Sequence, residues 1–247
     1  MDAIILGGAL NKGALRESSD QKYEAAIKIH DLPMVQYVLT ALERTQSIER
    51  VIMVVPEEMA SSIRGEKRMV FVSPGDSMVD SLLRALSRLN SEKHVLVLTS
   101  DIPLITPEAL EDFLQKCTKR EADIYYSFVP KEAIEEKYPG VRRTYVRLKD
   151  GTFTGGNVVL INPQVILARK HRILQAVQLR KHPVKLCQML GFKFFLKLLI
   201  GRLSVTEIEE RVGEILGFTG AGIVSQYPEV GVDVDKPSDL ELAKAFL

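Results

Sequence analysis

Short apolar runs alternate with amphipathic stretches along most of this 247-residue chain. Continuous apolar runs without internal alternation are typical of parallel strands that are buried on both faces. Apolar residues spaced three or four positions apart predict helices between these runs. The alternation of the two patterns predicts right-handed crossovers and a three-layer, mostly parallel α/β sheet. The predicted strands include 3–6, 51–55, 69–72, 95–98, 122–129 and 157–161, and the predicted helices include 34–42, 57–63, 79–86 and 109–119.

The run 95–98 is the central one, because an acidic residue and a helix start follow it directly. Asp101 comes after the run, Thr106 is a predicted helix N-cap and Pro107 is the first helical residue. Open α/β sheets bind ligands at the carboxyl ends of their strands, where Asp101 is expected to lie. Asp101 is either a solvated turn residue or a ligand of a hard cation such as Mg²⁺.

Two acidic residues near the end of the sequence support the interpretation of Asp101 as a cation ligand. Asp233 and Asp235 alternate with apolar residues in a predicted terminal strand, so both side chains are expected on the same face. Like charges repel unless a positive group lies between or beside them. A divalent metal shared by Asp101, Asp233 and Asp235 is therefore the simplest explanation.

Glycines occur where two predicted strands meet loops. Gly7 and Gly8 follow the first strand, and Lys12 and Arg16 come shortly after them. Glycine lets backbone N–H groups approach a phosphate, although such pairs are also common in ordinary turns. The spacing matches neither the Walker loop nor the dinucleotide fingerprint. Thr154-Gly155-Gly156 precedes the run 157–161 and similarly suggests close approach to a ligand.

The segment 151–206 has an unusual charge pattern. Residues 151–206 contain no Asp or Glu but include nine Lys and Arg residues, and 187–200 is strongly apolar. One interpretation is a weak membrane-surface contact through 185–202, or a contact with an anionic, apolar substrate. The other, which the pattern favours, is a helical subdomain that packs on the sheet while Lys193 and Lys197 point outward. We predict a single domain over 1–247 with a small basic helical insertion at 164–217.

The remaining loop patterns predict a hairpin and a strand. Asp150-Gly151 is typical of a hairpin turn, and 142–147 alternates like a half-exposed strand. Ser204 and Glu207 predict a capping box at the start of a helix over 204–217.

Composition narrows the classes of function. A net charge of +1 argues against a general nucleic-acid binder, and four scattered His residues argue against a zinc site. Cys117 and Cys187 are far apart, as expected of a protein in a reducing cytoplasm. We expect a cytoplasmic protein, because we recognise no secretory signal and no apolar run long enough to span a bilayer.

Four motifs in register resemble those of sugar-phosphate and cofactor nucleotidyltransferases. They are Gly7-Gly8, the turn from Ile29 to Pro33-Met34, Leu98 to Pro103 around Asp101, and Val232-Asp233-Val234-Asp235-Lys236-Pro237. The chain is most similar to the NTP-transferase group that includes molybdenum cofactor guanylyltransferase. The resemblance covers about 1–130, 151–163 and 220–247, and it leaves the basic segment unexplained.

The resemblance implies a Rossmann-like sheet of the GT-A type and a Mg²⁺-dependent reaction. The acceptor phosphate would attack the α-phosphorus of an NTP, and pyrophosphate would leave. The implied nucleotide-binding residues are Leu6, Gly7, Gly8, Gly75, Ser77 and Asp101; the implied metal ligands are Asp101 and Asp235, with Asp233 as a third; Gly156 and Asn157 match the acceptor-binding segment.

Two positions depart from the family pattern. The usual Arg after the glycine pair is replaced only approximately by Lys12 and Arg16, and Glu24 occupies the position of the usual catalytic Lys. Either Lys22 or Lys28 takes that role, or the alignment is in another register, or catalysis is altered or lost. Our catalytic candidates are Lys12, Arg16 and Lys28.

Alternative functions follow from these departures. A nucleotide-binding regulator with a degenerate active site is one, motivated by Glu24. A GT-A glycosyltransferase is another, although the Asp-x-Asp of that class is absent because Thr99-Ser100 precedes Asp101. The resemblance suggests guanine as the base and leaves cytidylyl transfer open; the acceptor and the oligomeric state are not specified.

Overall fold

The computed structural model describes residues 1–89, 92–179 and 190–247, and within them eight strands form one mixed, mostly parallel sheet. The strands in chain order are β1 (Asp2–Leu6), β2 (Lys28–Ile29), β3 (Leu32–Pro33), β4 (Arg50–Val54), β5 (Arg68–Val72), β6 (Val95–Thr99), β7 (Ile124–Pro130), β8 (Val146–Leu148), β9 (Gly151–Ile161) and β10 (Gly220–Val224). The sheet order is β10-β7-β9-β6-β1-β4-β5; β8 pairs with β9, and β2 and β3 form a separate hairpin. The predicted fold class is confirmed.

The helices lie on both faces of this sheet. They are α1 (Met34–Arg44), α2 (Glu57–Ala60), α3 (Met78–Ser87), α4 (Pro107–Cys117), α5 (Lys131–Lys137), α6 (Pro163–Leu179), α7 (Phe192–Leu199), α8 (Val205–Leu216) and α9 (Pro237–Phe246). Short 3₁₀ helices occupy Ala14–Glu17, Glu24–Ala26 and Pro228–Gly231.

The strands bury side chains on two opposite faces because successive residues alternate. Ile5 packs with Leu39 of α1 and Leu110 of α4 in one buried cluster, whereas Ile4 belongs to a second cluster with Leu86 of α3 and Ile166 of α6. Both faces of β1 are therefore covered, as expected of the continuous apolar runs.

The strand β9 is the exception to parallel pairing. It runs antiparallel to both β6 and β7, and a tight turn joins it to β8 as the Asp150-Gly151 pair predicted. Gly155 and Gly156 lie inside β9, so our expectation that they precede the strand was wrong. A Cβ on Gly156 would approach the Ser127 Oγ to 2.1 Å, and close packing against β7 explains the glycine.

Three other element predictions need correction. The helix expected over 57–63 ends at Ala60, and the strand expected over 142–147 is reduced to β8. Residues 232–235 are extended but do not pair as a strand of the sheet. The N-cap at Thr106 and the capping box between Ser204 and Glu207 are confirmed.

The chain between β9 and β10 contains α6, α7 and α8 in its described part. Phe194 and Leu198 of α7 pack with Leu148, Phe153 and Leu203, which gives this face a small cluster of its own. The division into one domain with an insertion at 164–217 stays a prediction. Residues 180–189, which include Cys187, belong to the part of the chain that is not described. Among the described helices, none combines the length and apolarity needed to cross a membrane.

Candidate active site

Three carboxylates meet at the carboxyl end of β6. Asp101, Asp233 and Asp235 each place an oxygen within 4.8 Å of the others, as the sequence predicted. The Val234 backbone N–H donates to the Asp101 carbonyl oxygen at 2.8 Å. This hydrogen bond connects residues 232–235, which we call the last segment, to the turn after β6. Val232 and Val234 are buried, so the alternating Asp233 and Asp235 both face away from the core.

Burial makes this arrangement costly without a cation. It raises the pKa of Asp101 to about 6, and the negative charge of Asp235 adds to the rise. The Asp101 Oδ1 is buried and has no hydrogen-bond partner among the described residues. An orphaned buried oxygen beside two further carboxylates fits a hard cation such as Mg²⁺, which takes oxygen ligands.

Arg143 anchors the acidic segment from the other side. Its guanidinium is 7% exposed and lies 3.0 Å from the Asp233 Oδ1 and 3.6 Å from the Asp239 Oδ2. The Asp239 carboxylate in turn accepts a hydrogen bond from the Asp235 N–H at 3.2 Å. Burial also raises the pKa of Asp233, and Arg143 opposes that rise. Sequence reasoning missed this role, because Arg143 stood in an apparently exposed charged strand.

A cavity opens next to Asp233 and Asp235. It has a volume of about 600 Å³, and its lining includes both predicted acceptor residues, Gly156 and Asn157. Polar and positive side chains also line it. They include Tyr126, Arg142, Arg143 and Lys236.

A second cavity of about 540 Å³ lies beside the glycine loop. Five predicted residues line it together: Leu6, Gly8, Lys12, Gly75 and Ser77. Ser77 caps α3 by accepting a hydrogen bond from the Asp80 N–H. A Cβ on Gly8 would come 2.3 Å from the Pro74 Cβ, so these two loops can approach only with glycine at this position.

Gly7 lies behind the loop rather than along the lining of this cavity. A Cβ there would come 2.9 Å from the Val55 Cγ1 and 3.4 Å from the Ser100 Cβ. The residue therefore allows β1 to pack closely against its neighbours where the chain leaves the sheet.

Two predicted catalytic residues line neither of these cavities. Arg16 donates to the Asp20 carbonyl oxygen at 3.3 Å and so braces its own loop. Lys28 is exposed on β2. Their catalytic roles stay predictions, and the geometry gives them no support.

Glu24, which the resemblance aligns with the usual catalytic lysine of the family, lies near the acidic site. Burial, followed by the charge of Asp235, raises the pKa of Glu24, which shows that Glu24 adds to the acidic region. Lys22 pairs with Glu58 at 3.0 Å on an exposed surface. These contacts give no support to a catalytic role for Lys22 or Lys28, and the alternatives raised by Glu24 stay predictions.

A parallel sheet with an acidic site at its carboxyl edge and a glycine loop beside it defines a nucleotidyltransferase-like fold. Residues 19–190 match the family model of the MobA-like NTP transferase domain. The match covers more than half of the sequence, and the chain belongs to this family.

Individual relatives agree with this assignment. A hypothetical transferase from Thermus thermophilus has a similar structure, with a TM-score of 0.84 and 37% identity over 97% of this chain and 98% of that one. The bifunctional protein GlmU of Thermodesulfovibrio yellowstonii is 28% identical over 155 residues, which cover 61% of this chain. The match spans only 31% of the GlmU sequence.

More distant structures share the fold. The 4-diphosphocytidyl-2C-methyl-D-erythritol synthase of Anaerococcus prevotii has a TM-score of 0.63 at 12% identity, covering 99% of this chain and 94% of its own. A CMP:2-keto-3-deoxy-manno-octonic acid synthetase complexed with CTP has a TM-score of 0.61 at 14% identity, covering 99% and 98%.

Proposed function

We propose that the protein transfers a nucleotidyl group from an NTP to a phosphorylated small-molecule acceptor and releases pyrophosphate. The observation that carries the proposal is the convergence of Asp101, Asp233 and Asp235 at the cavity lined by Gly156 and Asn157. The glycine-loop cavity lies at the end of β1, the strand next to β6. Membership of the NTP transferase family supports the same class of reaction.

The glycine-loop cavity is the proposed NTP site. Backbone N–H groups around Gly8 and the ammonium of Lys12 would hold the phosphates, and Gly75 and Ser77 would lie near the base. Asp101 and Asp235, with Asp233 as third ligand, would hold Mg²⁺. When bound, this ion would neutralise phosphate charge and orient the α-phosphate.

The second cavity is the proposed acceptor site. Asn157 offers an amide for hydrogen bonds, and Arg142 and Lys236 offer positive charge to an acceptor phosphate. An ionised phosphate is already a nucleophile, so the residues need to position it rather than remove a proton. Catalysis would therefore depend mainly on orientation and charge neutralisation.

The proposal does not specify the base of the NTP, because the observations point to two different bases. The resemblance stated from the sequence favours guanine, whereas the cytidyl compounds and CTP named for the distant structures favour cytosine. One observation favours a second function, a nucleotide-binding regulator: Glu24 lies near the acidic site where the family usually has a lysine.

A thermal-shift screen of the four NTPs with and without Mg²⁺, combined with pyrophosphate release over a panel of phosphorylated sugars and alcohols, tests the proposal. We expect Mg²⁺-dependent stabilisation by one NTP and turnover with at least one acceptor. Asp101→Ala should abolish turnover in a folded protein, and Asp31→Ala, at an exposed hairpin turn, should not. Binding without turnover would favour the regulator, and full activity of Asp101→Ala would reject the site.

A further inference from the structure

The helix α7 leaves half of its apolar residues uncovered. Phe192, Leu196, Leu199 and Ile200, which we call the apolar stripe, are 77%, 47%, 66% and 54% exposed. Residues at these spacings lie on one face of a helix with 3.6 residues per turn. Phe194 and Leu198, on another face, pack against the β8–β9 hairpin. The interpretation of this segment as a helical subdomain that packs on the sheet therefore explains one face of α7. It does not explain the exposed apolar stripe.

The charges around the apolar stripe are positive. Lys193 is exposed on α7, Arg202 is exposed just after it, and the exposed Arg147 lies against Gly201 at the same end of the helix. Two acids near α7 among the described residues are held in ion pairs: Glu207 with Lys197, and Glu214 with Arg211, which lies next to Gly191 at the start of the helix. No Asp or Glu occurs in the sequence from 151 to 206, although the whole chain has a net charge of only +1.

We propose that the apolar stripe docks on an anionic membrane surface. An apolar helix face with cations around it binds in the interfacial plane, where the side chains enter the headgroup region and the cations attract acidic lipids. The helix has 8 residues, far fewer than the roughly 20 that span a bilayer, so it would lie on the surface. The described residues 190–202 therefore favour the membrane contact that the sequence analysis expected as the weaker alternative over 185–202, of which 185–189 lie outside the described part of the chain.

Charge decides between a membrane and a second copy of the chain. A symmetric dimer brings the same patch of both subunits together. Such a contact through the apolar stripe would place Lys193, Arg147 and Arg202 opposite the same cations of the second copy, and like charges across an interface are unfavourable. An anionic surface is complementary to the same patch.

Vesicle sedimentation of the full chain tests this proposal. We expect binding to vesicles that contain phosphatidylglycerol and much weaker binding to phosphatidylcholine alone. The double substitution Phe192→Gln and Leu199→Gln should lower the partition coefficient about tenfold or more, because burial of each large apolar side chain is worth about a factor of ten. Leu32→Gln is the matched control, because Leu32 is an apolar residue outside the stripe with the same exposed fraction, 47%, as Leu196 within it. This substitution should leave vesicle binding unchanged.

Substitution of the cations is the second arm. Lys193→Gln and Arg202→Gln should each weaken binding to the anionic vesicles about fivefold at low salt. Absence of binding by the parent protein, or unchanged binding by the Phe192→Gln and Leu199→Gln variant, would overturn the proposal. So would a parent dimer in sedimentation velocity that this variant dissociates, without vesicle binding. The readout does not depend on nucleotidyl transfer, so the two proposals fail separately.

Discussion

Asp101 combines burial, a free carboxylate oxygen and two acidic neighbours, and these features conflict unless a cation is bound. Its pKa of about 6 in the folded protein lies above its ordinary value of 3.8. The folded state therefore binds a proton more tightly than the unfolded chain does. The contribution of Asp101 to the stability of the metal-free protein therefore falls as pH rises from about 4 to about 6, and this loss is complete above that range.

The first prediction is that Asp101→Asn stabilises the metal-free protein. Each pKa unit corresponds to about 1.4 kcal/mol, so the gain above pH 6 should approach about 3 kcal/mol and should disappear below pH 4. Urea unfolding in the presence of a chelator at pH 4, 5.5 and 7.5 measures it. Asp31→Asn, on an exposed turn, serves as control. Equal stability of Asp101→Asn and parent at pH 7.5 would contradict the electrostatic account.

Arg143 provides the second prediction at the scale of a residue. Arg143→Met leaves Asp233 and the buried Asp239 without their guanidinium partner. Removal of one member of a buried ion pair costs about 3 kcal/mol or more. Urea unfolding should show this loss, whereas the neighbouring Arg142→Met should have little effect because Arg142 is exposed. A similar loss in both variants would mean that the ion pairs are not its cause.

Among the elements, the 3₁₀ helix Pro228–Gly231 directs the last segment toward Asp101. Glu229 in this helix is 1% exposed, accepts a hydrogen bond from the Thr106 hydroxyl at 2.9 Å and pairs with Lys137 of α5 at 2.9 Å. One carboxylate thus joins this 3₁₀ helix to the start of α4 and to the end of α5. The sequence pattern did not indicate this, because an isolated Glu is ordinarily exposed.

The third prediction concerns this connection. Lys137→Met should destabilise the fold by about 2 kcal/mol, because it leaves a buried carboxylate with a single neutral donor. Lys137 is 45% exposed, and solvent therefore reduces the effect. The double variant Lys137→Met and Glu229→Leu should recover most of the loss, since no buried charge remains. Thermal unfolding measures both, and failure of the second change to compensate would refute the account.

In the whole molecule, the cluster of Asp101, Asp233 and Asp235, which is the proposed Mg²⁺ site, lies where the carboxyl end of β6 meets residues 232–235. Mg²⁺ ordinarily binds to one or two carboxylates together with substrate phosphates. If the neighbouring glycine-loop cavity holds an NTP, ion and nucleotide should bind cooperatively, because each supplies ligands or charge to the other.

The fourth prediction follows from that coupling. Mg²⁺ and the preferred NTP together should raise the Tm by more than the sum of their separate shifts, as expected when each binds the folded state more tightly in the presence of the other. Differential scanning fluorimetry over a matrix of both concentrations measures the coupling. Asp235→Asn should reduce it, and Glu57→Gln on an exposed helix should not. Strictly additive shifts would show that the two sites are independent.

Local sequence determined much of this protein. Apolar runs and amphipathic spacing suffice for most of the sheet, because burial on both faces leaves no polar alternative along a strand. Thr106 and Ser204 specify helix starts through hydrogen bonds to residues three positions away. The alternation of Asp233 and Asp235 with valines also predicts that both carboxylates lie on the same face of the segment, even though no strand forms there.

Only the tertiary structure decided the partners of side chains that are distant in sequence. Arg143 and Glu229 are buried because they meet opposite charges some ninety residues away, and Arg16 and Lys28 miss the cavities because their loops fold elsewhere. Helix α7 shows the same limit, since six of its eight residues are apolar and only packing separates the buried face from the exposed one. The periodicity of the sequence indicates which positions are buried. The pairing of charged side chains depends on the tertiary fold, because it brings together residues that are distant in sequence.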